Sequence, residues 1–415
     1  MGAGHGYKHP DMSAGTDNQP LRTPWGLMIL LGALTAMGPV AIDMYLPSLP
    51  AIGRELNAPA SQIQGTVAAF LAGMAVGQFF YGPASDRFGR RAPLLLGVTI
   101  YVAASMACAL TNSAETLLVG RFVQALGACA GGVVSRAVLR DQFGHTQTAR
   151  MLSILMLTMG LAPILAPLVG GLLLMVGSWR LIFWFMAAFG VVVGVAMLLR
   201  LKETRSEATR LQAESENPFR AYVALLRQKR LVGYALAGGL NGAVLFTYIS
   251  TAPGLVIDIY GVPPAAFGLI FGLNAAAVIG ANQVNRYVLR HRAPDAIVVV
   301  ASLAALSVAA VLAMATLVGV DGPWVVLPLI FVLLSSYGFI QGNTVAGALS
   351  VDPLRAGSAS SLLGGASFGV GALASSLAAA FHDGTPRPMA LIMLAALAGS
   401  RLAFTGWAYP KARRS

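Results

Sequence analysis

Charge is what this 415-residue chain has least of: Asp, Glu, Lys and Arg make up 11% of it, against about 25% in soluble domains. With 56% hydrophobic residues and a mean hydropathy of +0.71, a water-soluble globule is excluded, and most of the chain belongs in lipid. Cysteine is nearly absent too. Cys108 and Cys129 both fall inside apolar runs without redox or metal-ligand spacing, so they read as inert buried thiols and a disulfide framework is excluded. The five histidines, His5, His9, His145, His291 and His382, are scattered. No HExxH or phosphate-cradling glycine loop is present, which argues against a membrane enzyme and against any metal or cofactor. Repeated filter loops and charge rings, the marks of a channel, are missing as well.

What is abundant is apolar sequence in runs of spanning length, at 26–50, 61–83, 93–112, 115–139, 147–177, 180–200, 231–256, 264–288, 294–319, 323–349, 356–381 and 387–409. About 20 residues cross a bilayer as a helix, so the pattern predicts an all-α membrane protein of twelve transmembrane helices in two sets of six. The formal charge of +12 resides in short loops. Alternate loops hold Arg87, Arg90 and Arg91; Arg140 and Arg150; the cluster Arg200 to Arg230; Arg286, Arg290 and Arg292; Arg355; and Lys411, Arg413 and Arg414. Arg54, Arg180 and Arg387 are the only bases in the intervening loops. That is a topology signal, not a nucleic-acid footprint, and it predicts cytoplasmic N and C termini. Trp25, Trp179, Trp324 and Trp407 stand near run ends, as interfacial anchors do.

The expected organisation is a disordered cytoplasmic tail over 1–24 without a secretory signal, a six-helix bundle over 25–200, a linker over 201–230, a second bundle over 231–409, and a tail over 410–415. Glu203, Glu207, Glu214 and Glu216 mixed with arginines predict that the linker begins as a solvated segment. After it, Asn217-Pro218 opens a short amphipathic helix with Phe219, Val223 and Leu226 on the face toward the inner membrane surface. Arg91-Ala92-Pro93 and Arg292-Ala293-Pro294 recur at matching places in the two halves, a weak internal repeat of the kind that transporter halves carry.

Asp43 is the one acid placed well inside a run. A charge at that depth costs roughly 2.5–3.5 kcal/mol on insertion scales. Two readings stay open: a fixed ion-pair member between helices, or a carboxyl that takes up and releases a proton. At 1.5 Å per residue, Asp43 on helix 1 and Arg121 on helix 4 lie at about equal depth, roughly 10 Å from one face, which makes them candidate partners. Arg121 is either half of a proton-coupling pair or a structural donor to backbone carbonyls.

The loop Gly82-Pro83-Ala84-Ser85-Asp86-Arg87-Phe88-Gly89-Arg90-Arg91 resembles the signature between helices 2 and 3 of the major facilitator superfamily. Asp43-Met44-Tyr45-Leu46-Pro47 resembles the helix 1 motif of the bicyclomycin and chloramphenicol resistance (Bcr/CflA-like) drug exporters. Arg121-Phe122-Val123-Gln124-Ala125-Leu126-Gly127 resembles the helix 4 motif of drug:proton antiporters, with Arg140-Asp141 closing that helix. Residues 162–171, Ala-Pro-Ile-Leu-Ala-Pro-Leu-Val-Gly-Gly, are similar to their helix 5 motif, departing at Ala166 where many carry glycine.

The resemblance implies the major facilitator fold and proton-coupled efflux of small amphiphilic antibiotics across the bacterial inner membrane. It implies Asp43 and Arg121 as the proton-coupling residues. Gly82, Asp86, Arg87, Gly89, Arg90, Arg91, Arg140 and Asp141 would form a latch between the halves, with Asp86 accepting from the start of helix 11 near Ser358 and Arg90 pairing Asp141. Gly160, Pro163, Pro167, Gly170 and Gly171 on helix 5 serve either ordinary packing or a guard against leak. Tyr45, Gln124, Asn241, Phe246, Tyr248, Gln341 and Asn343, polar or aromatic on helices 1, 4, 7 and 10, are the candidate substrate cavity. The partners are a small-molecule drug, protons and lipid; no nucleic acid or cofactor is expected, and a monomer is the default. A metabolite permease of the same fold is the alternative.

Overall fold

The computed structural model describes residues 25–207, 210, 218–352 and 355–409; the expected tails, Asn217 and most of the acidic stretch after Glu207 lie outside them. Among the described residues there is no strand. Twelve helices are long and apolar enough to span a bilayer: Trp25–Glu55, Ala60–Phe88, Arg91–Leu110, Ala114–Gln142, Arg150–Val176, Arg180–Arg200, Lys229–Ile259, Pro264–Val288, Pro294–Leu317, Pro323–Val351, Gly357–Ala380 and Arg387–Ala408. They are numbered helix 1 to helix 12. A 29-residue helix such as helix 2 or helix 4 reaches about 43 Å, beyond the ~30 Å hydrocarbon core, and so tilts or protrudes. Val176 (80% exposed) and Leu199 (79%) point away from the protein, which fits a lipid-facing perimeter.

Each half repeats the same packing scheme. In the first, helix 1 lies on helices 4 and 5, helix 4 on helices 2 and 3, and helix 3 on helix 6. In the second, helix 7 lies on helices 10 and 11, helix 10 on helices 8 and 9, and helix 9 on helix 12. Adding six to each number converts one set into the other, and the faint sequence repeat becomes a duplication of architecture. The halves meet along helix 2 with helix 11 and along helix 5 with helix 8.

Lipid supplies no hydrophobic drive between helices, so close backbone approach at small residues must hold them. A side chain on Gly127 would meet the backbone of helix 3 at Gly97 O and Tyr101 N, both at 2.5 Å, and one on Gly131 would run into Leu34 O of helix 1. Proline sets the irregular ends. Helix 1 is α-helical only to Asp43, then passes through a 3-10 turn at Leu46–Ser48, with Pro47 within it, before resuming over Leu49–Glu55. Ser48 Oγ donates to Tyr45 O at 2.6 Å and stabilises the turn. Helix 7 widens after Pro253 into a π-helical segment, Gly254–Ile259.

The linker helix, Pro218–Leu226, also packs against the bundle through a second face. Leu225 is fully buried against Leu231, Ala359 and Leu362, and Tyr222 meets Phe79 edge-on at 5.6 Å. Val223 and Leu226 turn outward. Helices 2 and 11 offer the apolar seat for the inner face.

Candidate functional site

Asp43 stands where the regular α-helix of helix 1 stops, 4% exposed. Among the described residues it has neither a hydrogen bond nor an ion pair. Gly170 of helix 5 packs on the carbonyl of Met44 and the ring of Pro47, so the break beside the carboxyl is clamped by the neighbouring helix.

Arg121 is fully buried, yet its partner is not the acid. Its guanidinium carbon lies 4.3 Å from the ring centroid of Tyr45, 4.4 Å from Phe70 and 5.8 Å from Phe183. Nη1 donates to Gln124 Oε1 at 2.5 Å, and Gln124 Nε2 donates onward to Ser105 Oγ at 2.7 Å. Nε and Nη2 have no acceptor. The Asp43–Arg121 pair expected from equal depth is therefore absent in this conformation. Rise per residue fixes height along a helix but not azimuth, and the ring of Tyr45, two residues on, occupies the place beside the guanidinium. The rings' negative faces offset part of the buried charge.

At the end of the bundle where the basic loops gather, Arg90 is the hub. It is 3% exposed. Its Nη1 bonds Asp86 at 2.5 Å and Ser85 Oγ at 3.0 Å, while Nε and Nη2 grip Asp141 at 2.7 and 3.1 Å. Among the described residues Asp86 is thus held by Arg90 and not by the start of helix 11; at this end Gly82 makes a contact across the halves, with Ser361 Oγ 3.2 Å from a built Cβ. Arg91 donates to Leu198 O at 3.2 Å, whereas Arg87 and Arg140 are exposed.

Three linker residues complete the network. Glu203 accepts from the backbone N–H of Arg90 at 2.8 Å and of Arg91 at 3.2 Å, capping the start of helix 3. Thr204 Oγ1 donates to Asp141 at 3.2 Å, and Arg205 donates to the carbonyls of Asp86 and Arg87 that end helix 2. The solvated segment expected from composition is docked at its first residues. Free amides and carbonyls at helix ends attract such groups, but charge pattern alone does not reveal which loop a linker will meet. Burial opposes ionisation of Glu203, yet the four backbone N–H groups of Arg90, Arg205, Arg91 and Thr204 prevail and hold its carboxyl below the usual range. Gly89 has φ 90°, and a Cβ there would lie 2.6 Å from the Glu203 carboxylate. The positive φ favours glycine at that position, and a side chain there would displace the Glu203 carboxylate.

Twelve spans, duplicated halves and this basic loop network coincide with a sequence-family match: the Major Facilitator Superfamily profile covers residues 29–377. The chain belongs to the major facilitator superfamily. The MFS-type transporter YdgK of Bacillus subtilis is 36% identical over 386 residues, covering 92% of this chain and 94% of the relative. A bicyclomycin resistance protein homolog of Haemophilus influenzae is 32% identical (91% and 94% covered), and the multidrug resistance protein MdtL of Escherichia coli is 33% identical (80% and 83%). Among solved structures, a D-xylose–proton symporter superposes with a TM-score of 0.72 at 13% identity (91% and 97% covered). The nucleoside transporter NupG gives 0.70 at 14% (91% and 98%). At those identities the likeness is one of fold. This major facilitator protein is a multi-pass transporter of the bacterial inner membrane.

Within the facilitator frame, helix 5 is continuous through Pro163 and Pro167. Gly160 lies against Ile279 and Gly171 against Pro264 O, both on helix 8, so the motif serves the contact between halves as well as the helix 1 break. The candidate cavity residues are drawn inward more than expected. Tyr45 bonds Thr66 at 2.9 Å, and Gln124 bonds Arg121 and Ser105; both have no exposed surface. Tyr248 accepts from Asn274 at 2.8 Å and stacks on Phe271, Phe246 packs on Phe368, and Asn343 donates to Asn285 at 3.0 Å. Asn241 and Gln341 face each other at 3.5 Å between helices 7 and 10. A stranded polar side chain in a span is satisfied by the nearest helix first. Arg401 follows the same rule, donating to Val299 O and Ser302 Oγ at 3.0 and 3.1 Å.

Proposed function

We propose that this protein is a proton-coupled exporter of small amphiphilic antibiotics that works by alternating access. The observation that carries the reading is a buried, unpartnered carboxyl, Asp43, at a proline-set break in helix 1, beside a helix that holds a buried guanidinium with two free donors. An apolar site favours the protonated acid, and a nearby cation favours the carboxylate. A motion that brings Asp43 toward Arg121 releases the proton; a motion that parts them takes it up. The conformation described is the parted one. Relatives named for bicyclomycin resistance and multidrug resistance support drugs as cargo.

The positive-inside rule orients the basic face toward the cytoplasm. There the Gly82–Ser361 contact and the linker helix form the latch between halves, seated on a loop that the Arg90 network holds in place.

The test is export of a fluorescent drug from everted vesicles with an imposed pH gradient. Asp43→Asn abolishes the gradient-driven component while the protein stays folded and inserted. Unchanged gradient-driven export by that variant removes Asp43 from the mechanism, and wild-type flux indifferent to an uncoupler identifies a passive permease instead.

A further inference from the structure

Helix 4 is enclosed on three sides. Gly73 and Gly77 of helix 2 meet Phe122, Ala125 and Cys129, Gly97 of helix 3 meets Gly127 and Ala130, and Leu34 of helix 1 meets Gly131. On the side left between helices 1 and 2, Gly132 has nothing within 4 Å of a built Cβ. Residues four apart share a helix face, so Arg136 stands on the same open side, one turn nearer the basic end. It is six residues from the end of helix 4 at Gln142, about 9 Å inside.

Arg136 is half-buried and, among the described residues, has no hydrogen bond and no ion pair; its neighbours are the Cys129 thiol and Arg140, of like sign. Among the described residues no acid at this end is free to serve it; Glu207 is held by Arg210. Arg90 holds Asp86 and Asp141, backbone amides hold Glu203, Tyr234 holds Asp295, and Gln228 with Arg355 holds Asp352. Arg121 has three aromatic faces and an amide to answer its charge, whereas Arg136, one turn from the open space at Gly132, has no such partner among the described residues. A guanidinium in a spanning helix needs an acceptor, and its planar fork fits a carboxylate in bidentate fashion.

We infer that Arg136 is the point at which the transport path receives the acidic group of its cargo, so that the substrate class includes amphiphilic anions and zwitterions bearing a carboxylate. This rests on the exporter reading above and adds to it a charge preference set by one residue. The residue lies on the open side of helix 4, separate from the Asp43 and Arg121 pair, so specificity and proton coupling are separable by mutation.

The experiment compares three probes in everted vesicles: a carboxylate-bearing fluorescent dye, its neutral methyl ester, and a lipophilic cation of similar size. Wild type moves the acid, and Arg136→Gln lowers acid transport by roughly tenfold to a hundredfold, the range expected for a lost charged hydrogen bond. The ester is carried as before, which also reports folding, and Arg136→Lys restores much of the acid flux. Equal loss of acid and ester in Arg136→Gln, or an unchanged acid flux, overturns the inference. So does dependence of all three probes on chloride, which would make an inorganic ion the standing partner. Acid transport by wild type that ignores an uncoupler leaves Arg136 in place and removes the proton-coupling reading instead.

Discussion

Replacing Arg121 with methionine removes a full charge from the core of the first half and leaves its stability almost unchanged. The favourable side is one charge-assisted hydrogen bond to Gln124, about 1.5–3 kcal/mol. Two ring faces within 4.4 Å add about 0.5–2 kcal/mol each. On the other side, Nε and Nη2 are buried without acceptors, about 1–3 kcal/mol each, and a charge within the bilayer costs about 2.5–3.5 kcal/mol. The two sides cancel to within a few kcal/mol, and methionine fills a similar volume among Tyr45, Phe70 and Phe183. Gln124→Met behaves otherwise, because it takes away the only acceptor of a charge that remains, and it costs about 2–4 kcal/mol. The double variant returns close to wild type. Cys108 and Cys129 are the chain's only cysteines, and both are buried, so a thiol-reactive fluorophore in detergent reports the unfolding midpoint directly. A loss above about 3 kcal/mol in Arg121→Met, or a double variant worse than Gln124→Met, refutes the reasoning. If the proposed coupling holds, proton-driven export is lost in Arg121→Met all the same, which separates the proposed role of the charge from its part in stability.

Gly131→Ala forces a methyl group into the Leu34 carbonyl across the helix 1 to helix 4 crossing; overpacking of this kind costs about 1–3 kcal/mol, read as a lower unfolding midpoint, while Gly132→Ala, which meets nothing, leaves it unchanged. Glu203 has a depressed folded-state carboxyl, so its contribution is present above the unfolded value near 4.3 and fades only as pH falls through the lower folded value. Amide exchange at Arg90 and Arg91 therefore stays protected from pH 7 down to about 5 in wild type. Glu203→Gln exposes those two amides throughout that range, and equal protection in both proteins refutes the cap.

The twelve spans, their division into two sets of six and the basic loops were legible because lipid imposes a one-dimensional demand. A helix crossing a bilayer must be apolar for about 20 residues, and composition along the chain records that directly. The Asp86, Arg90 and Asp141 cluster was legible in part, because short loops confine their charges to one small region. Glu203, Thr204 and Arg205 were not. Their partners are backbone groups at the ends of helices 2 and 3, distant in sequence, and a backbone amide has no letter in the sequence.

By itself the sequence determined what enters the membrane, how many times, and which residues carry charge within it. Tertiary structure alone decided which way those residues turn. Asp43 and Arg121 share a depth but not a direction, Tyr45 and Gln124 fold into a half-bundle instead of lining an open path, and Arg136 stands one turn from the open space at Gly132. Depth is additive along a helix and can be counted; azimuth depends on which neighbour arrives closest, and that is settled only when glycines on different helices let their backbones meet.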